Sequence, residues 1–433
     1  MRTRHDRPAV SDVPPPDAEV LIEQARRHHR RKLRVTTACP LLAIVAGAVI
    51  YGATSGDGPP TSAPGSVGRA SPGPIATARW QDLVAAGRFP PGAEVTTVIR
   101  YGRELVAAGS IFGPGHLTGL GCTDACSPVV WTSTGRGPWR EVFAARAPGS
   151  IAGERLVAIH GALLLFNSDE GTSLWRSTNG RHWQEVRLPQ GMHAMAMSAV
   201  ASNGLRVVAT FSNKFAGGPV TAYGESDTVW TSADGAHWRQ GAAPDQPAFA
   251  SVAATSHGFV AAGTSRTTQN ALTWHSTDGS AWSATRVGAP TGGVDEVAAD
   301  ESGFALEWIS GITTADAAVQ LWHSRSGLAW QRATVDGTLF TTFDGVMAPI
   351  LSTSDGFVAL GSTSTRMWWS RDGRAWTRLR MSAAPPANLE PQGAAPAGSS
   401  LLVIEQARRA GAGVPSGATS VWQITLTTSS TRP

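Results

Sequence analysis

Short apolar runs alternate with polar turns along most of the chain, and one combination of the two recurs six times. Each copy follows the order apolar-Trp-x-Ser-x-Asp/Asn-Gly-x-x-Trp, with replacements at the Asp/Asn and Gly positions. The copies occupy residues 130–139, 174–183, 229–238, 273–282, 321–330 and 367–376. A glycine followed by an apolar run precedes each copy, and a further apolar segment precedes that glycine. Each repeat unit is therefore predicted to form four short strands in about 45–55 residues, which is the length of one β-propeller blade.

A seventh, partial copy at 421–426 contains Trp422 but ends before a second tryptophan. The missing piece matches the start of the domain, where ARWQDLV (78–84) resembles the fourth-strand segment HWQEV (182–186). We therefore predict an all-β, seven-bladed propeller over residues 77–433, in which the N-terminal strand carrying Trp80 completes the last blade and leaves no open edge. This arrangement places fourteen of the sixteen tryptophans in seven pairs: Trp131 and Trp139, Trp175 and Trp183, Trp230 and Trp238, Trp274 and Trp282, Trp322 and Trp330, Trp368 and Trp376, and Trp422 and Trp80.

The segment between the two tryptophans of a copy predicts a tight turn. Asp-Gly suits such a turn because glycine tolerates positive φ and aspartate hydrogen-bonds to nearby backbone N–H groups. The Asp position holds Asp234, Asp278 and Asp372 but also Asn179, Ser326 and Gly135. A position that accepts these replacements shapes a turn and does not perform the same chemistry in every blade.

This pattern resembles the Asp-box, or BNR, repeat of the sialidase-like β-propellers, in which Ser-x-Asp-x-Gly-x-x-Trp forms the turn between the third and fourth strands. The resemblance covers residues 77–426, although Ser and Trp lie one residue closer together here. It implies a propeller whose repeat turns lie on the face opposite the ligand site, so that these residues are structural.

The N-terminal region has a different composition. Ala38–Thr54 contains no charge and is long enough for a short transmembrane helix of roughly 25 Å. Basic residues precede it, among them Arg30, Arg31 and Arg34, so the bias of positive charge towards the cytoplasm predicts a cytoplasmic tail (1–37) and an extracytoplasmic propeller. A cleavable signal peptide is the alternative. Residues 55–76, rich in Pro, Gly and Ser, predict a flexible linker.

Charge argues against nucleic acid as a partner. The first 37 residues hold nine of the 36 Lys/Arg and five of the 32 Asp/Glu, which leaves 27 of each sign in the rest of the chain. A neutral propeller lacks the basic surface that polyanions require. The scarcity of lysine beside arginine indicates a high-GC bacterial source.

No catalytic set, cofactor motif or metal motif stands out. The resemblance implies that a sialidase would need three arginines and a tyrosine activated by a glutamate, but only Tyr101 and Tyr223 lie outside the membrane segment, and Tyr101 is expected on the repeat-turn face. Other glycosidases on this fold need two carboxylates. The acidic residues expected in upper-face loops are Asp169, Glu170, Asp245, Asp295, Glu296, Asp336 and Asp344.

Cys122 and Cys126 lie in a long predicted loop of the first blade, where a local disulfide is expected outside the cytoplasm. Loops 110–128, 211–228, 309–320 and 405–420 are predicted to build the recognition surface on the upper face. The sequence thus favours a membrane-anchored binding or scaffold module at the bacterial cell surface, with an unknown protein, peptide or glycan ligand. A sialidase-like glycoside hydrolase is the alternative.

Overall fold

The computed structural model describes residues 75–83, 89–90, 93–111, 128–135, 138–145, 154–168, 172–193, 195–212, 227–268, 270–287, 293–310, 318–336, 350–360, 366–381, 389–407 and 419–429. The predicted tail, the membrane segment and all but two residues of the predicted linker lie outside these ranges. So do Cys122 and Cys126. Within the described ranges, no helix is both long enough and apolar enough to cross a bilayer.

The predicted all-β propeller with seven blades is confirmed, because the strands form seven separate sheets. The first strand is β1 (Ile75–Asp82), which belongs to the last blade. Blade 1 contains β2 (Ala93–Tyr101), β3 (Glu104–Ile111), β4 (Pro128–Ser133) and β5 (Arg140–Ala144). Blade 2 contains β6 (Arg155–Ile159), β7 (Ala162–Ser168), β8 (Thr172–Ser177) and β9 (Gln184–Glu185), and helix α1 (Gln190–His193) follows it. Blade 3 contains β10 (Ala196–Ser202), β11 (Val207–Ser212), β12 (Thr228–Ser232) and β13 (Arg239–Gln240).

Blade 4 contains β14 (Pro247–Thr255), β15 (Gly258–Ser265), β16 (Ala271–Ser276) and β17 (Ser283–Arg286). Blade 5 contains β18 (Gly293–Asp300), β19 (Gly303–Ser310), β20 (Ala318–Ser324) and β21 (Gln331–Arg332). Blade 6 contains β22 (Thr334–Val335), β23 (Ile350–Thr353), β24 (Gly356–Leu360), β25 (Met367–Ser370) and β26 (Ala375–Arg378). Blade 7 contains β27 (Arg380–Met381), β28 (Leu389–Ala397), β29 (Ser400–Ala407) and β30 (Thr419–Ser429), together with β1.

The ring has two distinct ends. We call upper the end where the second strand of a blade leads into the third and where one blade leads into the next. The lower end carries the turns between first and second strands and the repeat turns between third and fourth strands, each running from the serine to the second tryptophan of its copy.

The hydrophobic core consists of seven clusters, one in each gap between neighbouring blades. Strand β7 shows why the second strands are continuous apolar runs. Leu163 and Leu165 pack against blade 1, whereas Leu164 and Phe166 pack against blade 3. Because successive side chains point to opposite faces, a strand covered on both faces needs apolar residues at every position.

The predicted closure is also confirmed. Strand β1 pairs antiparallel with β30 from Ile75↔Ser429 to Asp82↔Trp422, and Trp80 lies opposite Ile424. The rings of Trp80 and Trp422 meet edge to face, with centroids 6.0 Å apart. The first strand of the domain therefore completes the sheet built by the last three long strands.

Blades 5 and 6 are also joined to the next blade through the segments that leave their outer strands. After blade 5, β22 pairs in parallel with β26 of blade 6, and after blade 6, β27 pairs in parallel with β1 of blade 7. These parallel additions were not predicted from the sequence. They cover outer edges of neighbouring sheets, which reinforces the ring.

Candidate functional site

The repeat turns on the lower face are held by hydrogen bonds to their own backbone. In blade 3, Ser232 Oγ accepts the Gly235 N–H at 2.9 Å, and Asp234 Oδ1 accepts the N–H groups of Ala236 and His237 at 2.8 Å each. Blades 2, 4 and 5 repeat the serine–glycine bond at 2.8–2.9 Å. The turn glycines of blades 2–6 have φ between 73° and 78°. A residue with a side chain would be strained in this backbone conformation, whereas glycine is not.

These turns also dock onto the preceding blade. Arg176 Nε of blade 2 donates to the Asp234 carbonyl of blade 3 at 2.9 Å. At Gly279 of blade 4, a Cβ would come within 2.5 Å of Val208 and 2.8 Å of Thr231, both in blade 3. The polar atoms of the turns are therefore used for turn geometry and blade contacts.

Two aspartates of these turns, Asp234 and Asp278, are held in the charged form. At Asp234, burial opposes ionisation, but hydrogen bonds from the His237 side chain and from backbone N–H groups outweigh it and lower the pKa. At Asp278, hydrogen bonds from the Ser280 side chain and backbone lower the pKa. A carboxyl group with a lowered pKa stays deprotonated near neutral pH, so it has no proton to donate as a general acid. This suits a structural position.

The predicted tryptophan pairs lie in the core. Eleven of the fourteen are at most 8% exposed, and Trp183, Trp330 and Trp422 are half-buried. The segment leaving one blade covers the pair of the next: Phe89 stacks on Trp139 at 4.7 Å, and Phe143 lies 5.9 Å from Trp175. The indoles thus bind neighbouring blades together.

The upper end differs because the innermost strands are irregular there. Five of the described innermost strands, β2, β10, β14, β18 and β28, carry a β-bulge near their upper ends. Gly109 lies opposite the bulge of β2, where a Cβ would overlap the Glu94 carbonyl oxygen. Bulges of this kind redirect side chains and are common next to binding sites.

A buried polar cluster occupies the upper part of the gap between blades 1 and 2. The Glu154 side chain is fully buried, and Ser110 Oγ donates a short hydrogen bond to its Oε1. Thr96 Oγ1 lies 3.3 Å from Glu154 Oε2. Burial raises the pKa of Glu154, and burial together with Glu154 raises the pKa of Glu94 from 4.5 to about 7. The two carboxyl groups form an electrostatically coupled pair.

Arg155 and Glu296 bring opposite charges to the channel mouth from blades 2 and 5. Arg155 is exposed on innermost strand β6. The carboxylates of Glu154 and Glu296 act electrostatically on Arg155 and favour its charged form. Glu296 accepts a 2.8 Å hydrogen bond from Ser251 Oγ of blade 4. We call Glu94, Glu154, Arg155 and Glu296 the mouth cluster.

Of the seven acidic residues expected in upper loops, Glu296 lies in this cluster, and the two others whose side chains are described, Asp245 and Asp336, do not. Asp245 is exposed between blades 3 and 4 with φ 66°, and Asp336 lies at the outer edge of blade 6, where its N–H bonds to Trp376 O. The backbone of Asp295 lies in β18. Outside the described residues lie Asp169, Glu170 and Asp344.

Sequence reasoning missed Glu94, Glu154 and Arg155. A signal was present: Glu94, Glu154 and Glu296 each stand at or just before the apolar run of an innermost strand. That position corresponds to the upper mouth once the blade order is known.

Tyr101 lies on the repeat-turn face, as expected, and not at this mouth. Tyr101 Oη donates to the Thr178 carbonyl at 3.3 Å, in the repeat turn of blade 2 on the lower face. Tyr223 lies outside the described residues. In the part of the chain that is described, no three His, Cys, Asp or Glu side chains gather as metal ligands.

No protein-family model and no curated protein matches the chain. Among solved structures it is similar to a streptogramin B lyase, at 10% identity over 81% of this chain and 98% of that chain, with a TM-score of 0.50. It is also similar to YCF48, solved bound to a D1 peptide, at 11% identity over 79% of this chain and 94% of that chain, with a TM-score of 0.47. At 10% identity, the similarity to the lyase indicates only a shared propeller fold.

Proposed function

We propose that this protein is a binding module whose recognition surface is the upper mouth of the propeller channel. The observation that carries the proposal is the contrast between the two ends of the ring. The polar groups of the lower turns form hydrogen bonds to their own backbone and to the preceding blade. The upper mouth combines bulged inner strands with charged groups from several blades. Concave sites with a few convergent polar groups are where ligands usually bind.

The mouth cluster defines the chemistry of the ligand. Arg155 offers hydrogen-bond donors for an anionic or carbonyl group, and Glu94 and Glu296 offer acceptors for cationic or N–H groups. A peptide segment of a partner protein presents both kinds of group within a few ångströms. We therefore favour a protein or peptide ligand over a glycan.

The cellular setting is part of the same proposal. We place the propeller outside a bacterial cell, held by a transmembrane helix at Ala38–Thr54 and lifted from the bilayer by the linker at 55–76. Reporter fusions test this topology. Alkaline phosphatase fused after residue 433 is expected to be active, and the same reporter fused after residue 36 is expected to be inactive. The reverse pattern would refute the orientation.

The glycoside hydrolase alternative draws on the coupled Glu94 and Glu154 carboxyl groups. Two carboxylates must flank the scissile bond in such an enzyme. Glu154 is 0% exposed and is engaged by Ser110 and Thr96, so it cannot reach a bound sugar. Fluorogenic glycosides provide the test: turnover abolished by Glu94→Gln would favour the enzyme.

A pair of charge reversals tests the binding proposal. Full-length protein in detergent is used to capture partners from its own cell-envelope extract, followed by quantitative mass spectrometry. Arg155→Glu is expected to lose the specific partner, because it removes the hydrogen-bond donors that Arg155 offers to the ligand and adds a negative charge to a mouth that is already acidic. Arg181→Glu, an equal change on the exposed lower face, is the control. If the partner stays with Arg155→Glu and is lost with Arg181→Glu, the proposed face is wrong.

A further inference from the structure

The upper gap between blades 1 and 2 collects oxygen atoms from both blades. Glu94 lies directly opposite Ser110 in the β2–β3 ladder, so both side chains stand on the same face of blade 1. Val106 and Ala108 precede Ser110 at alternate positions and pack against blade 2. This face of blade 1, with Glu94 and Ser110 at its upper end, therefore points towards blade 2.

Blade 2 contributes Glu154 to the same gap. Its fully buried carboxyl group contacts Ser110 Oγ and, at 3.3 Å, Thr96 Oγ1 of blade 1. The nearby cation, Arg155, donates to the Glu154 main-chain carbonyl at 3.0 Å and not to the carboxylate. Two carboxyl groups thus share a poorly solvated gap, and no cation of the described residues is hydrogen-bonded to either one.

Asn167 adds a separate observation. Arg155 pairs with Phe166 in the β6–β7 ladder, so the next position places Asn167 beside Glu154. Asn167 also shares a face with Leu163 and Leu165, which pack against blade 1. It is 4% exposed, and its Oδ1 has no hydrogen-bond partner among the described residues. An unsatisfied buried acceptor costs about 1–3 kcal/mol, which indicates that something else uses this oxygen.

We propose that the gap between blades 1 and 2 is a calcium site, with Glu94, Glu154 and Asn167 Oδ1 as ligands and the Ser110 and Thr96 hydroxyls beside them. Hard cations bind carboxylate, amide and hydroxyl oxygens, and Ca²⁺ accepts six to eight of them in flexible geometry. Mg²⁺ requires a stricter octahedron and retains several waters, which a gap packed between two blades does not favour. Glu94 and Glu154 belong both to this site and to the mouth cluster, but Ca²⁺ binding can be measured without the ligand proposed for the mouth, so the two proposals fail separately. The ion would tie blades 1 and 2 together at their upper ends.

Calcium titration of the full-length protein tests this inference. After EDTA treatment and buffer exchange, isothermal titration with CaCl₂ is expected to show one saturable site per chain, and the midpoint of thermal unfolding is expected to rise with CaCl₂. MgCl₂ at equal concentration is expected to have a much smaller effect. Absence of saturable Ca²⁺ binding by the wild-type protein overturns the proposal.

Three variants locate the site. Glu154→Gln and Asn167→Leu are expected to weaken Ca²⁺ binding at least about tenfold, since even outer-shell partners of a metal are typically worth 10–100-fold. Glu301→Gln, on the lower face where its carboxylate bonds to Ser256, is the matched control and is expected to bind normally. Unchanged binding in both site variants would place the ion elsewhere and refute the assignment.

Asn167→Asp separates loss of the site from misfolding, because it is expected to strengthen Ca²⁺ binding and a misfolded variant would not. An added carboxylate at a calcium site strengthens binding through ligand charge, whereas in a purely structural cluster it adds repulsion beside Glu154. We expect tighter Ca²⁺ binding together with lower stability in EDTA. Lower stability without a gain in affinity would contradict the proposal.

Discussion

Removing the Trp80 indole tests whether the N-terminal strand holds the ring closed. Trp80 is 7% exposed and packs in the gap between blades 6 and 7. Its ring meets Trp422 at 6.0 Å, and its Nε1 lies 3.3 Å from Met381 Sδ. Replacing a buried tryptophan with alanine costs about 3–5 kcal/mol, so Trp80→Ala should lower the free energy of unfolding by that amount. This is a large part of the roughly 5–15 kcal/mol typical of folded proteins.

The assay is urea denaturation followed by far-ultraviolet circular dichroism, with unfolding rates as the measure if refolding is incomplete. Leu205→Ala is the control, because Leu205 is 68% exposed and surface changes usually fall within about 0.5 kcal/mol. A loss below about 1 kcal/mol for Trp80→Ala would refute the reasoning, since the closing strand would then contribute little to the ring.

Three further predictions concern the gaps and turns. Glu94 has a pKa raised to about 7, so its contribution to stability is fully present below about pH 4.5 and is lost as the pH rises through 7. In EDTA, Glu94→Gln should therefore flatten the fall in urea midpoint between pH 5 and 8, whereas the exposed-strand variant Glu185→Gln should not. Gly279→Ala should cost more stability than Gly102→Ala in thermal unfolding, because both have positive φ but only Gly279 abuts the preceding blade. Asp227→Ala should cost about 3–5 kcal/mol in denaturation experiments, since it removes a fully buried carboxylate that pairs with Arg266 at 2.8 Å and accepts the Phe249 N–H at 2.8 Å.

The blade architecture could be predicted because its determinants are local. A tryptophan, a serine and a glycine at fixed spacing specify a turn between two strands, and the glycine φ values near 75° show why that residue is needed. The truncated last copy and the matching segment around Trp80 then determined the closure. The parallel strands β22 and β27 were missed because each has only two residues and no pattern of its own.

The mouth cluster could not be assembled from the sequence for a different reason. Glu94 and Glu154 are sixty positions apart, and they meet only because the register of β2 and the junction before β6 bring them to one gap. Loop position, which directed attention to Asp245 and Asp336, does not determine distance from the channel. Position on an innermost strand does determine that distance, as Glu296 on β18 shows.

Photo-crosslinking from the two faces tests most directly the claim that the upper mouth binds the partner. Ser198 is the exposed residue at the bulge of β10, near the mouth, and Leu205 is exposed on the lower turn that follows the same strand. A benzophenone amino acid is placed at one position or the other in the full-length protein, and cells are irradiated. We expect a specific adduct from position 198 and none from position 205. An adduct from position 205 with none from position 198 would contradict the account.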